Sequence, residues 1–172
     1  CQNKQNDNPD CFILAQSVCD SFDGNLVSIH DDEENALVLH MLFEAWLKAN
    51  PNGMIKDYIL TWDAEIKYEF GTLIGLNDKE LEGTFVWTDG SSFEFSNWVD
   101  SEPGDIPEAN NGDLGAESDL PGEDCAFMQA YKITVGDTNR KPGKWSDMQC
   151  ANSNPGMSLD EASFRSVLPC LA

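Results

Sequence analysis

Eight acidic side chains fall within the twenty-four residues EPGDIPEANNGDLGAESDLPGEDC, from Glu102 to Cys125, and no lysine or arginine accompanies them. Repulsion among that many carboxylates swells a segment, and its Gly, Pro, Asn and Ser content supplies turns rather than a core. Such a stretch either stays unfolded or folds around something cationic. This choice bounds the rest of the reading.

At 172 residues and 41% hydrophobic, the chain is long enough for one compact domain with a real core. It holds no run of about 18 apolar residues able to span a bilayer. The amino terminus, CQNKQNDNPDC, lacks the basic-then-apolar layout of a signal peptide, so the chain is expected to be a mature or excised segment. With 31 Asp and Glu against 10 Lys and Arg, the formal charge of -21 repels phosphate backbones and anionic membranes alike. Nucleic acid and membrane insertion are therefore excluded, while cations and neutral ligands remain.

Six cysteines, Cys1, Cys11, Cys19, Cys125, Cys150 and Cys170, are scattered without C-x-x-C pairs. An even number without metal or redox spacing favours disulfides and a secreted location. The spacing alone leaves all of the roughly 15 possible pairings open.

FILAQSVCDSF, about 12 to 22, sets Phe12, Ala15, Cys19 and Phe22 at helical steps, with Gly24 as a terminator. NLVSI suits a brief strand. A second helix is expected over roughly 32 to 48, acidic in its first turn and ending near Lys48 before Pro51, Asn52 and Gly53. Residues near 50 to 70 read as an ordered insertion carrying Tyr58, Trp62, Tyr68 and Phe70. The short runs TLIGL, TFVW, FEF, CAFMQAY, GKWSD and FRSVL, split by Gly, Asp, Asn and Pro, read as a small, mostly antiparallel sheet. Two helices before the strands make the class α+β. Lys132, Arg140, Lys141 and Lys144 suggest a basic hairpin beside the acidic loop.

Catalytic chemistry finds little support. His30, at the start of the second helix, and His40, within it, belong to no zinc or nucleophile motif, and no phosphate-binding glycine loop is present. The chain is not expected to be an enzyme. Calcium suits the residues better, because it takes six to eight oxygen ligands in tolerant geometry, from carboxylates, amides and backbone carbonyls. The EF-hand loop pattern is absent, so the ligands must come from separate segments.

The ordered set GNLVSI, ALVLHML, LIGLND, GTFVWTDGSSFEFSNW, EPGD, GEDCAFM, GKWSDMQC and FRSVLPC closely resembles the C-type lectin domain over nearly the whole chain. The resemblance implies a single domain, 1–172, with two helices flanking a looped sheet and insertions near 50–70 and 106–121. It implies disulfides Cys19 to Cys170 and Cys125 to Cys150, and an extra amino-terminal bridge, Cys1 to Cys11, of the family's long form. Trp87, Trp98 and Trp145 fall at positions that it assigns to the core and the loop base, whereas Trp46 and Trp62 lie outside its motifs.

The resemblance also carries over calcium ligands. Asp78, Glu82, Asp105, Glu123 and Asp124 match the site auxiliary to sugar binding. Glu102, Glu123 and Asp147 match the principal site, where sugar hydroxyls meet calcium directly. There the sequence departs from the family: Gly104 and Ser146 stand where amide side chains both coordinate calcium and donate to sugar. Asn110 or Asn111 are candidates to fill the vacant amide position. The function implied is an extracellular calcium-dependent carbohydrate-binding module, its loop 102–125 ordered by calcium, with a lean toward mannose-type sugars from Glu102-Pro103. The competing reading is a calcium-stabilised protein-interaction or assembly module that has lost sugar binding.

Overall fold

In this computed structural model, the described residues are 10–49, 69–99, 122–132, 142–150 and 170–171. Helix α1 (Cys11–Asp20) is followed by β1 (Asn25–Leu26), α2 (Asp32–Ala49), β2 (Glu69–Asn77), β3 (Val86–Trp87), β4 (Cys125–Lys132), β5 (Trp145–Met148) and β6 (Cys170–Leu171). Two antiparallel sheets result, a two-stranded β1-β6 and a four-stranded β3-β2-β4-β5. With two helices, this is the expected α+β class.

Helix α1 begins where Asp10 Oδ1 accepts the Ile13 N–H at 3.0 Å, an N-cap that satisfies one orphan donor of the first turn. It buries Cys11, Phe12, Ala15 and Cys19 at helical spacing. Phe22 departs from the expectation: it lies past the helix end and is 72% exposed. The chain turns after Ser21, and the Phe22 and Gly24 N–H groups both return to the Cys19 carbonyl. Asp23, not Gly24, takes the left-handed backbone at φ 62°, a conformation that Asp tolerates better than most side chains.

Helix α2 is fastened reciprocally at its start. Asp31 Oδ1 accepts the Glu34 N–H at 2.8 Å, and Glu34 Oε2 accepts the His30 N–H at 2.7 Å. Asp32, Glu33 and Glu34 in the first turn and Lys48 in the last complement the helix dipole. Asn35, Val38 and Leu42 form its buried stripe, and His40 is exposed on its face.

Strand alternation divides the main sheet into two packed faces. Val27, Ile29, Val38, Ile74, Leu76, Trp87, Ala126, Met128 and Trp145 form one core; Cys11, Phe12, Ala15, Cys19, Leu26, Leu73, Cys125 and Cys150 form the other. Gly75 lets β1 and β2 approach: a Cβ there would fall 2.7 Å from both the Leu26 carbonyl and Thr88 Oγ1. The run FEF makes no strand. Phe93 and Phe95 nevertheless pack on Trp87 and Trp145, ring centroids 6.1 and 5.7 Å apart, so ring contacts rather than ladder hydrogen bonds hold this segment.

Disulfides join Cys19 to Cys170 and Cys125 to Cys150, the pairs that the resemblance implies. The first ties α1 to β6, and the second ties the start of β4 to the turn after β5. Cys11 is also disulfide-bonded, its partner lying outside the described residues. Cys1, the insertions at 106–121 and up to residue 68, Arg140, Lys141 and the run FRSVL lie outside them too. Among the described residues no helix is long and apolar enough to cross a membrane.

Candidate functional site

The acidic residues gather where β2 ends. Register pairs Asn77 with Cys125, and the next residue outward, Asp78, donates its backbone N–H to the Asp124 carbonyl at 3.1 Å. Two carboxylates are thereby set side by side by a backbone bond. The chain then makes a tight loop: the Leu81 N–H reaches the Asp78 carbonyl at 3.1 Å, and Gly83, at φ 75°, turns its N–H back to Asp78 Oδ2 at 2.8 Å. That loop carries Glu82. On the third side, β5 brings Asp147 opposite Ala126 in the register with β4.

Asp78 is only 3% exposed, and its Oδ1 is buried with no hydrogen-bond partner among the described residues. Leaving a buried acceptor unmade costs about 1–3 kcal/mol. Burial pushes the Asp78 carboxyl above the usual range, and the charges of Asp124 and Asp147 push it further, against the opposing Gly83 N–H. Glu82 is raised as well, by desolvation first and then by Asp78, Asp124 and Asp147. Four acids of three separate segments therefore share one field.

Among the described residues, no three His, Cys, Asp or Glu side chains converge closely enough to hold a metal ion by themselves. The donor set is nonetheless oxygen throughout, and one buried carboxylate oxygen has no partner among the described residues. That chemistry suits a hard divalent cation such as calcium better than a softer metal. Of the other expected residues, Glu123 is half-buried beside Asp124, while Glu102, Asp105, Asn110 and Asn111 lie outside the described residues.

Ser146 is set apart from the acids. Strand alternation puts it on the face of β5 opposite Asp147, paired with Phe127, and its Oγ accepts from Gln129 Nε2 at 3.2 Å. Gln129 is itself buried, with Oε1 unpartnered among the described residues. Trp87 and Trp145 are buried, 2% and 0% exposed, and Trp98 is half-buried. The three stack edge to face or tilted around Phe85, Phe93 and Phe95, as members of the core or packed against it rather than as an exposed platform.

Sequence reasoning missed Lys79. Its Nζ pairs with Asp10 Oδ2 and lies 5.8 Å from the Phe12 ring centroid, tying the start of α1 to the residue beside Asp78. The available signal was that Lys79 is the one Lys or Arg between Lys67 and Lys132.

Comparison with known proteins places this geometry in context. The family model for the lectin C-type domain matches residues 8–157. The low affinity immunoglobulin epsilon Fc receptor of Homo sapiens is 28% identical over 139 residues, covering 81% of this chain and 28% of the receptor. The alpha-N-acetylgalactosamine-specific lectin of Patiria pectinifera is 29% identical over 145 residues, covering 81% of this chain and 61% of that lectin. The chain thus spans less than two thirds of either relative. Among solved structures, the cow C-type carbohydrate-recognition domain of CD23, crystallised in the presence of a GlcNAc2Man3 oligosaccharide, is 26% identical at a TM-score of 0.42, covering 81% of this chain and 70% of that one.

Proposed function

The chain belongs to the C-type lectin domain family, and on that premise we propose that it is an extracellular, non-enzymatic module whose carbohydrate binding depends on calcium. The observation that carries the calcium part is Asp78 Oδ1, buried and unpartnered among the described residues, within the field of Glu82, Asp124 and Asp147. A buried acceptor surrounded by like charge is stabilised by a cation, and a cation so held draws together segments that otherwise repel.

In this reading Asp78, Glu82, Asp105, Glu123 and Asp124 hold the auxiliary ion, and Glu102, Glu123 and Asp147 hold the principal one, with Asn110 or Asn111 supplying an amide toward sugar. Calcium supplies the charge that orders loop 102–125 and an acceptor for vicinal hydroxyls. The protein's part is to fix its carboxylates in advance: the Asp78 N–H bond to Asp124 and the Gly83 N–H bond to Asp78 do this from the backbone. Glu102-Pro103 leans toward mannose-type sugars, whereas the Patiria pectinifera relative is named for alpha-N-acetylgalactosamine. A glycan array read in calcium and in chelator, with both sugar classes present, tests the assignment. Calcium-dependent retention on either class supports it; calcium binding without any glycan sinks it.

A second reading has its own observation. Ser146 faces Gln129 on the side of β5 away from Asp147, so the position from which an amide would bridge metal and sugar is turned from the acids. This favours a calcium-stabilised domain that binds an extracellular protein or assembles through its acidic face. Calcium binding with a silent glycan array is the outcome that selects it.

A further inference from the structure

Asn35 is polar, 7% exposed, and set in the buried stripe of α2 among Val38 and Leu42. Both ends of its amide are used. Oδ1 accepts the Trp145 indole N–H at 2.9 Å, and Nδ2 donates to the Gly143 carbonyl at 3.2 Å. The same carbonyl accepts a second bond, from Asn97 Nδ2 at 2.9 Å. Gly143 sits at φ 86°, and a Cβ there would fall 3.1 Å from Asn35 Nδ2, so both the turn and the approach of the amide call for glycine.

This clasp sits where residues 97–99 meet the start of β5. The Trp145 N–H donates to the Asn97 carbonyl at 2.9 Å, the Val99 N–H donates to the Trp145 carbonyl at 2.8 Å, and Trp98 bridges Trp145 in parallel. Residues 97–99 are thus zipped to the start of β5. Along the sequence, Glu102 follows Val99 by three residues, and Asp147 follows Trp145 by two.

We propose that Asn35 is a positioning residue for the cation site: from α2, its amide fixes the Gly143 turn and the Trp145 indole, and so sets the start of β5 that carries Asp147. The inference rests on the calcium reading of the site. A purely apolar residue at position 35 would fill the core but leave the indole N–H and the turn without a shared anchor.

The test is calcium affinity by calorimetry on the parent chain, Asn35→Ala and Trp145→Phe, with Leu42→Ala as control, each measured well below its own melting temperature in chelator. Leu42 lies on the same helix and packs on Ala130, so its truncation reports general core loss. The expected result is a loss of roughly 10-fold in affinity for Asn35→Ala, the lower end for groups that hold metal ligands because Asn35 acts through Trp145, a smaller loss for Trp145→Phe, and a change within about twofold for Leu42→Ala. Unchanged affinity in Asn35→Ala, or in Trp145→Phe if Asn35→Ala does not fold, overturns the inference alone. A loss in Leu42→Ala equal to that in Asn35→Ala also overturns it. No calcium binding in the parent chain overturns the calcium reading and this inference together.

Discussion

The backbone N–H of Asp78 is bonded to the carbonyl of Asp124 at 3.1 Å, so two carboxylates from segments 46 residues apart are held as neighbours by a contact that does not involve either charge. The fold thereby brings like charges together and leaves Asp78 Oδ1 buried without a partner among the described residues. A site built this way is strained when empty of positive charge and relieved when a cation is present.

Replacing Asp78 by Asn separates these two effects. In chelator the substitution removes a buried like charge, and its melting temperature is expected to rise by about 2–4 °C, as for a gain of roughly 1 kcal/mol in a chain of this size. In calcium the increment that the parent chain shows is lost, because a carboxylate donor is gone. Paired thermal melts read both; a lower melting temperature in chelator would contradict the account of Asp78 as a repelled group.

The pH dependence follows with opposite signs in the two conditions. Asp78 and Glu82 both have carboxyl groups raised by burial and neighbouring acids. A raised group contributes stability that is fully present below its unfolded value, near 3.8 for Asp and 4.5 for Glu, and is lost as pH climbs through the folded value. In chelator, this contribution therefore grows as pH falls into the carboxylate range. Calcium binding needs the ionised form, so the calcium-induced rise in melting temperature shrinks over the same interval. Melts from pH 7 to pH 4 with and without chelator check the crossing.

Asp89 behaves in the opposite sense. Burial alone would raise its carboxyl, but hydrogen bonds from Ser28 Oγ, Ser91 Oγ and the Ser91 N–H outweigh it, and with His30 nearby the group lies below the usual range. Its contribution is present above the unfolded value and lost as pH falls through the folded one. Ser28→Ala and Ser91→Ala are expected to lower the melting temperature slightly at pH 7, the deficit closing in acid. A deficit that persists unchanged at low pH would mean that these hydroxyls act through packing alone.

The two bonds between described cysteines differ in the span they close, 151 residues for Cys19 to Cys170 and 25 for Cys125 to Cys150. Loop-closure entropy assigns them about 5 and about 3.5 kcal/mol. Cys19→Ala with Cys170→Ala is therefore expected to lower the denaturant midpoint more than Cys125→Ala with Cys150→Ala. Calcium affinity should show the reverse order, since Cys125 adjoins Asp124 and the shorter bond lies at the site. Chemical denaturation and calorimetry on the two double variants measure each.

Much of this molecule was legible from short-range pattern. Helix α2 declares itself by acids before an apolar stripe and a Pro-Asn-Gly stop; β2 and β4 do so by compact apolar runs; Trp87 and Trp145 do so by their place in ordered motifs. These features depend on a few neighbouring residues, whose rotamer limits, caps and periodicity act wherever the chain is. The left-handed Asp23 was not legible, because Gly24 offered the same turn more cheaply and the path of the following strand decided between them. Nor was which face Ser146 and Asp147 each take: a strand parts adjacent residues, but only the register with β4 decides which face Asp147 shares with Trp145. The sequence by itself determined the two helices and the main strands, and that the acidic loop either stays unfolded or folds around a counter-charge. Only the tertiary structure decided that Asn35 would reach Trp145 and that Asp78 would be buried against Asp124, because contacts across 110 and 46 residues are selected by the packing of the whole core and not by any local preference.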